Sequence, residues 1–262
     1  MTVLSQASLF DGLVLVAMAH VRVSSFLLSA PLLSLVYISL PLRIVLSTLL
    51  ACQVASMIPF RPASLTDPWT MVQFVAHEAV IGIALGLTLR AIFSAAALAG
   101  EVIASTMGLS MANMINPASG DAEPAVGQLL NVFMMLCFVE ADGIPNMIGL
   151  LRESFDAWPP HGILSLTAIL HGAVDGLGEG FHHALAVMAP VVFPVFLLNL
   201  TTGVLTRLAP QMNIFSIGVP LGLLVGFSAL LVAFPAMLER LNVLPAAAHD
   251  FVLRRLLLPG AP

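Results

Sequence analysis

Two groups of titratable residues have types and spacings that could support chemistry. The first recurs at near-helical intervals and consists of His171, Asp175, Glu179 and His182. On one helix they would share a face and could form a metal site or a proton relay. Four glycines within positions 172–180 weaken the helix that would carry them, and no second set of ligands reinforces the group. The better interpretation is a polar helix face in contact with water.

The second group is the adjacent pair His77 and Glu78, which lies inside an apolar run. Ionisable residues at membrane depth mark proton pathways or are paired with one another, so these two side chains could relay a proton. A buried ion pair between Glu78 and an arginine such as Arg43 or Arg90 explains the same residues equally well. The sequence alone leaves both interpretations open.

Recognised enzyme signatures are missing from the chain. The sequence contains no Gly-x-Ser-x-Gly elbow, no P-loop, no dinucleotide-binding glycine motif and no His-Glu-x-x-His motif. It also has no basic block that could bind nucleic acid, because its nine cationic residues are dispersed along 262 residues. We therefore expect a protein that is not an enzyme, holds no cofactor or metal and binds no nucleic acid.

Five charged residues lie within or between long apolar runs, namely Arg22, Arg43, Glu78, Arg90 and Glu101. The chain is 59% hydrophobic with a mean hydropathy of +1.03, and only 9% of its residues are charged. A soluble domain carries about 25% charged residues. A charge that faces lipid at mid-membrane costs roughly 3 kcal/mol or more. We therefore expect these side chains to face protein or water and to pair within or between subunits.

The elements that must position these residues are helices, because the apolar runs are long enough to form about six of them. The runs cover residues 10–30, 33–58, 71–99, 125–139, 184–206 and 214–238. The sequence thus predicts an all-α integral membrane protein, a single domain over residues 1–262, whose apolar runs are broken by prolines. These are Pro31, Pro41, Pro190, Pro194 and Pro220.

Residues 239–262 follow the last apolar run and are expected to form a C-terminal tail. Arg240, Arg254 and Arg255 collect there. Positively charged residues favour the cytoplasmic side of a membrane protein. The sequence therefore favours a cytoplasmic tail.

Glycines at helical spacing predict close contacts between helices. Gly82 and Gly86 are four residues apart, as are Gly218, Gly222 and Gly226. A helix with glycines at this spacing presents a strip without side chains, which lets another backbone approach closely. These contacts could lie within the chain or between chains.

Three methionines, Met107, Met111 and Met114, fall on one side of a helix if their segment is helical. Methionine is flexible and polarizable, which suits a seal that must conform to a variable object. Ordinary filling of a core explains the same row, so the residues alone leave both interpretations open.

In order along the chain, a series of motifs resembles the FliR family of flagellar export proteins and its injectisome counterparts, the SctT proteins. The motifs are Arg22 with Pro31, Pro41-Leu42-Arg43, Glu78 to Gly86, Ala99 to Ile103, Met107 to Ser110, Pro117, Glu153 to Phe155, Trp158-Pro159, and Leu208 to Phe215 with Gly218 and Pro220. The most specific block is Ala209, Pro210, Gln211, Met212 and Asn213. The resemblance covers nearly the whole chain.

The resemblance implies a subunit of a type III export gate in the bacterial inner membrane, within the flagellar basal body. Its implied partners are FliP-like and FliQ-like gate subunits, an FlhB-like subunit, an FlhA-like component and the unfolded proteins that are exported. It implies helices folded as bent hairpins that join a hetero-oligomeric gate, and a luminal plug over residues 101–124. The implied constriction residues are Met107, Gly108, Met111, Asn113, Met114, Asn116 and Pro117, and this favours a seal for the methionine row.

Other functions remain open on composition alone. The equivalent injectisome subunit has the same landmarks, although the Ala-Pro-Gln-Met-Asn and Gly-Glu blocks favour the flagellar protein. A secondary transporter of a small solute would also have broken helices and buried charges, but it would be expected to show inverted repeats, which the sequence lacks. A structural assembly factor that lines no pore is a further alternative.

Overall fold

The computed structural model describes residues 6–31, 39–57, 68–109, 125–159, 166–208 and 214–257. Within these ranges the chain forms seven α-helices and no strand. The helices are α1 (Gln6–Ser29), α2 (Leu40–Met57), α3 (Pro68–Thr106), α4 (Ala125–Glu140), α5 (Gly143–Ala157), α6 (Leu166–Leu208) and α7 (Ile214–Phe251), and a π-helical turn (Val252–Leu257) follows α7. The all-α prediction is therefore confirmed.

Length and composition identify the helices that could cross a membrane. Among the described residues, three helices are long and apolar enough, and they are α3, α6 and α7 with its π-helical turn. The broken pair of α4 and α5 makes a fourth if it is counted as one span, while α1 and α2 are shorter apolar helices. These lengths agree with an integral membrane protein.

Helix α5 lies in a region that the apolar runs leave unassigned, because it is amphipathic and not uniformly apolar. Its buried side chains are Met147, Leu150, Leu151, Ser154 and Phe155. They follow the i, i+3, i+4, i+7, i+8 pattern of one helix face. Helix α6 likewise begins well before its apolar run. A hydropathy scan reads runs of apolar residues and misses such one-sided helices.

The prolines do not all break helices, contrary to expectation. Those inside α6 and α7 are Pro190, Pro194, Pro220, Pro235 and Pro245. Each lacks an N–H and leaves a carbonyl one turn earlier without its usual donor, but helices at membrane depth tolerate this through local adjustments and neighbouring groups. Pro41 stands in the first turn of α2, where the missing donor is harmless. Pro31 follows the end of α1 at Ser29.

The chain divides into two compact units, and the first comprises residues 1–91, 144–177 and 248–262. In it α1 packs against α2. The core of this unit includes Phe26, Ile81, Leu85, Leu150 and Leu151, which are all buried. Helices α1, α3 and α5 thus supply the interior that surrounds the charged residues described below.

The beginning of α6 joins the same unit through glycines. A Cβ at Gly172 would fall on the side chain of Leu256, and one at Gly176 would lie 2.8 Å from Cγ2 of Thr88. Leu256 belongs to the π-helical turn, where it is buried. The described part of the predicted C-terminal tail is therefore helical, and its last turns pack on α6.

The second unit comprises residues 92–143 and 178–247. Here α3 and α4 cross at Gly100 and Gly127, where a Cβ on Gly100 would fall on the backbone of Gly127. The rings of Phe93 and Phe138 meet edge to face with centroids 5.2 Å apart. Two backbones can approach this closely only where side chains are absent.

Candidate functional site

A fully buried ion pair joins α1 to α3 in the first unit. Nε of Arg22 donates to Oε2 of Glu78 at 2.7 Å, and Nη2 donates to Oε1 at 3.0 Å. Both side chains have no exposed surface. The planar guanidinium and the carboxylate therefore meet in the two-point geometry that gives the strongest charged hydrogen bonds.

The remaining donors of Arg22 are used at the C-terminal end of α5. Nη1 donates to the carbonyl oxygen of Ser154 at 2.7 Å and to its Oγ at 3.2 Å, and Nη2 donates to the carbonyl oxygen of Trp158 at 2.9 Å. The guanidinium carbon also lies 3.9 Å from the centre of the Phe155 ring. A cation is favourable here because the end of a helix carries partial negative charge.

All five N–H groups of Arg22 thus have an acceptor, which is what a buried guanidinium requires. The residues of this arginine cluster (Arg22, Glu78, Ser154, Phe155 and Trp158) come from three stretches of the sequence that lie far apart. The cluster ties α1, α3 and the end of α5 together. Its chemistry is that of a fixed structural joint.

The geometry also bears on the proton-relay interpretation of His77 and Glu78. Nδ1 of His77 is 3.5 Å from Oε1 of Glu78, which is longer than a good hydrogen bond. Both carboxylate oxygens already accept hydrogen bonds from Arg22. Glu78 is therefore an ion-pair partner, and its arginine is Arg22 and not Arg43 or Arg90.

The other charged residues predicted to pair lie in different surroundings. Arg43 is half-buried on α2, whereas Arg90 and Glu101 are exposed on α3. In the polar group on α6, His171, Asp175 and His182 are exposed and Glu179 is half-buried. Across the ranges that the structure describes, no three metal-ligating side chains come together.

The first glycine pair brings α1 and α3 into contact next to the arginine cluster. A Cβ at Gly82 would fall on Oγ of Ser25 and on the carbonyl oxygen of Arg22. One at Gly86 would fall on Oγ of Ser29 and would lie 2.8 Å from the backbone nitrogen of Ala30. Because residue numbers rise together on both helices, α1 and α3 run parallel along this contact.

The serines on α1 complete this flat contact. Oγ of Ser25 donates to the carbonyl oxygen of Val21 at 2.8 Å, and Oγ of Ser29 donates to that of Ser25 at 2.9 Å. The hydroxyls are thus satisfied within their own helix. The spacing Ser25-x-x-x-Ser29 matches Gly82-x-x-x-Gly86. This repeated small-residue spacing is the signal in α1 that sequence reasoning missed.

The second glycine set contacts Met107 within the second unit. A Cβ at Gly226 would fall on Cγ of Met107 and lie 2.8 Å from its sulfur, and one at Gly222 would lie 3.4 Å from the Met107 carbonyl oxygen. Met107 is 1% exposed, and Gly218 is half-buried. In this structure Met107 is a core residue seated on two glycines of α7.

Gly108 ends α3 in a left-handed conformation, with φ of 84°. The N–H of Leu109 donates to the carbonyl of Ala104 at 3.0 Å, and that of Gly108 donates to the carbonyl of Ser105 at 3.1 Å. These two bonds form the Schellman cap of a helix C-terminus. The position requires a residue that accepts positive φ, which explains glycine here.

We therefore expect Gly108→Ala to lower the free energy of unfolding by about 1–2 kcal/mol, because alanine is strained in the left-handed region. Gly108→Asn is the matched variant, since asparagine tolerates this conformation, and it should cost clearly less. Thermal unfolding in detergent, with the chain purified together with the partners that the family resemblance implies, measures both changes. Equal losses for the two variants would show that backbone conformation is not what selects glycine.

The remaining predicted residues lie outside the described part of the chain. They are Met111, Asn113, Met114, Asn116 and Pro117 of the expected plug, and Ala209, Pro210, Gln211, Met212 and Asn213 of the specific block. The structure describes the helices on either side of each segment, which are α3 and α4 for the first and α6 and α7 for the second. The roles expected of these residues stay predictions.

Comparison with known proteins gives the identity of the family. Residues 13–246 match the family described as Bacterial export proteins, family 1. Flagellar biosynthetic protein FliR of Pectobacterium carotovorum subsp. carotovorum is 31% identical over 238 residues, which cover 88% of this chain and 86% of that protein. FliR of Escherichia coli K12 is 33% identical over 219 residues, which cover 82% of each chain.

An injectisome relative matches over a shorter length. The surface presentation of antigens protein SpaR of Salmonella typhimurium is 29% identical over 147 residues, which cover 56% of this chain and 55% of that protein. The family match and the two FliR relatives, by contrast, extend over most of the sequence. This chain therefore belongs to bacterial export proteins family 1, the family of the flagellar FliR proteins.

Proposed function

We propose that this chain is a subunit of the flagellar type III export gate in the bacterial inner membrane, at the flagellar basal body. It supplies helices and a pore-closing segment for the passage of unfolded flagellar proteins, and it catalyses no reaction. Its proposed partners are FliP-like, FliQ-like, FlhB-like and FlhA-like components. The observation that carries this proposal is the match to an export-protein family over residues 13–246 in a chain with three membrane-length helices.

The surface of the long helices supports a role inside a larger assembly. Arg90 and Glu101 are exposed on α3, and a charge that faces lipid is costly. In the most apolar 18-residue stretch of α6, and likewise of α7, only 28% is buried within the chain, whereas 61% of the corresponding stretch of α3 is buried. Neighbouring subunits or a water-filled path would give the charges a polar environment and would cover the apolar faces.

The pore-closing role is assigned to the segment that follows α3, within residues 101–124. Support comes from the family resemblance of this region and from the capped, buried end of α3 at Met107 and Gly108. The Schellman cap gives this segment a defined starting point at Leu109. Deletion of residues 111–115 would then raise ion leakage through an assembled gate.

A second candidate is the injectisome form of the same gate, which the match to SpaR favours. Both forms share the proposed architecture, so the structure of one subunit does not separate them. The two forms are separated by the proteins that they export. Loss of motility after deletion of the gene assigns the chain to the flagellum, whereas loss of effector secretion with intact motility assigns it to an injectisome.

Co-expression tests the proposal directly. The chain produced alone is expected to be heterogeneous in detergent, because its apolar faces lack their neighbours. Produced together with the FliP-like and FliQ-like proteins of the same genome, it is expected to elute as one complex by size-exclusion chromatography. A stable monomer that binds a small solute would contradict the gate and favour the transporter. A complex that forms but shows no change in conductance after deletion of residues 111–115 would favour the structural assembly factor.

A further inference from the structure

We propose that the groove between α6 and α7 faces the hydrocarbon of the bilayer and that the acyl chain of a lipid occupies it. The residues that line the groove include Pro190 and Pro194 of α6 and Leu224, Val225, Ser228 and Val232 of α7. All of them belong to the second unit. The inference goes beyond the proposed function, because it identifies a face of the chain that the gate partners leave in contact with lipid.

The stretches of α6 and α7 that border the groove have the length of a bilayer. Residues 184–206 of α6 and residues 218–238 of α7 contain no Asp, Glu, Lys, Arg or His. At about 1.5 Å per residue each stretch is roughly 30–35 Å long, and the hydrocarbon core of a bilayer is about 30 Å thick. The groove lies within both stretches, so its depth in the bilayer would be that of the hydrocarbon.

Polar side chains mark the ends of these stretches. Glu179 and His183 precede the stretch in α6, with 3.3 Å between Oε1 and Nε2, and Arg207 follows it. On α7 the stretch ends at Glu239 and Arg240, which are exposed. Arg240 lies near enough to His183 to act on it electrostatically. The two helices thus change from apolar to polar at the same level, as expected where hydrocarbon gives way to headgroups and water.

The polar side chains within the two stretches already have partners. Asn199 donates to the carbonyl oxygen of Thr106 at 3.3 Å. Four hydroxyls donate to carbonyls of their own helices at 2.7–3.0 Å, and they belong to Thr201, Thr202, Thr206 and Ser228. A polar solute in the groove would lose its hydrogen bonds to water without replacement. Hydrocarbon has none to lose, so the groove suits an acyl chain and not the solute of a transporter.

The size of the groove also fits a lipid chain. Its volume is about 510 Å³, within the range of about 300–1,000 Å³ that is usual for sites of small molecules. Leu224 and Val232 on its wall are 65% and 84% exposed. Atoms that border a void lose their dispersion contacts on that side. An acyl chain that enters the groove restores those contacts.

Fluorescence quenching in the complete gate complex tests the proposal. The complex is placed in nanodiscs of phosphatidylethanolamine and phosphatidylglycerol whose acyl chains carry bromine near their middle. A bimane fluorophore is attached to one introduced cysteine, after the native thiols are removed by Cys52→Ser and Cys137→Ala and with partner subunits that contain no cysteine. The labelled variants are Ser228→Cys, Val232→Cys and Val243→Cys, at three exposed positions of α7.

Bromine should quench the label at Ser228 and at Val232 several-fold more strongly than at Val243, because Val243 lies beyond Glu239 and Arg240. Iodide in the water should quench the first two labels only weakly. Strong quenching by iodide at Ser228 would show water in the groove, and weak quenching by both agents would show that another subunit covers it. Either result would overturn the proposal, as would equal quenching by bromine at all three positions.

A charge tests the same face without a label. Val232→Arg is expected to lower the amount of assembled complex recovered from membranes several-fold, since an arginine that faces hydrocarbon is costly. Val243→Arg is the matched control, because it changes another exposed valine of the same helix and should leave recovery near the wild-type level. Equal recovery of the two variants would contradict contact between Val232 and lipid.

Discussion

Arg22→Ala should lower the free energy of unfolding by about 3–5 kcal/mol, because it leaves a buried carboxylate without its partner. Glu78 has no exposed surface, and both of its oxygens accept hydrogen bonds from Arg22. The carbonyl of Trp158 loses its donor as well. We expect the variant to be lost from the assembled complex, as measured by co-purification, and its residual protein to melt at a lower temperature in detergent.

Three further variants test why Arg22→Ala loses stability. The charge swap Arg22→Glu with Glu78→Arg should not restore stability, because a carboxylate at position 22 would face the carbonyls of Ser154 and Trp158. Arg22→Lys should recover part of the loss, since an ammonium has three donors where five are used. The apolar pair Arg22→Met with Glu78→Met should recover more than the swap, because it removes both buried charges. A swap as stable as the wild type would contradict the assigned role of α5 in the cluster.

Gly82→Ala and Gly86→Ala are expected to separate α1 from α3, each at a cost of about 1–3 kcal/mol or more, as for other overpacked cores. The new methyl group at either site would meet atoms of the α1 backbone, which cannot move aside as a side chain does. The same displacement would lengthen the distance between Arg22 and Glu78. Thermal unfolding in detergent and recovery of the complex measure both effects.

Gly149→Ala is the matched control for these variants. Gly149 lies in α5, in the same unit, and a Cβ there meets nothing within 4 Å. Since alanine favours a helix over glycine by roughly 0.5–1 kcal/mol, the control should be neutral or slightly stabilising. If all three alanine variants behaved alike, the glycines would not be needed for close contact.

The sequence alone defines the fold class, since helix-length apolar runs with few charges leave little alternative to membrane helices. The apolar runs do not reveal amphipathic helices, which are apolar on one face only. Helix α5 has a buried stripe that includes Leu150 and Phe155, but it contains no long apolar run. The sequence also predicts breaks at Pro190 and Pro194, although α6 continues through them. Helix propensity describes how a residue behaves in an isolated helix. Inside a protein, contacts with neighbouring groups allow a helix to continue through a proline.

The candidate site shows a similar division. Residue type and setting show that Arg22 and Glu78 need partners, because isolated charges are costly in an apolar environment. Residue type does not show which residue pairs with which, because the pairing depends on how helices that are far apart in the sequence pack together. Trp158 contributes only its backbone carbonyl and Ser154 contributes its own beside its hydroxyl, and any residue type would supply the two carbonyls. Contacts of this kind leave no signal in residue identity.

The arginine cluster has a consequence for biosynthesis. Arg22 leaves the ribosome with α1, but Glu78 follows 56 residues later and Ser154 follows 132 residues later. Until Glu78 is made, the guanidinium lacks its ion-pair partner, and the carbonyls of Ser154 and Trp158 follow later still. The hydrocarbon interior of a membrane offers it no partner. An apolar environment is therefore unfavourable for the middle of helix α1 when it is made. We expect α1 to stay in a hydrated setting, such as an insertion channel or the membrane surface, until α3 and α5 are made, so that it is fixed only after the helices that follow it in the chain.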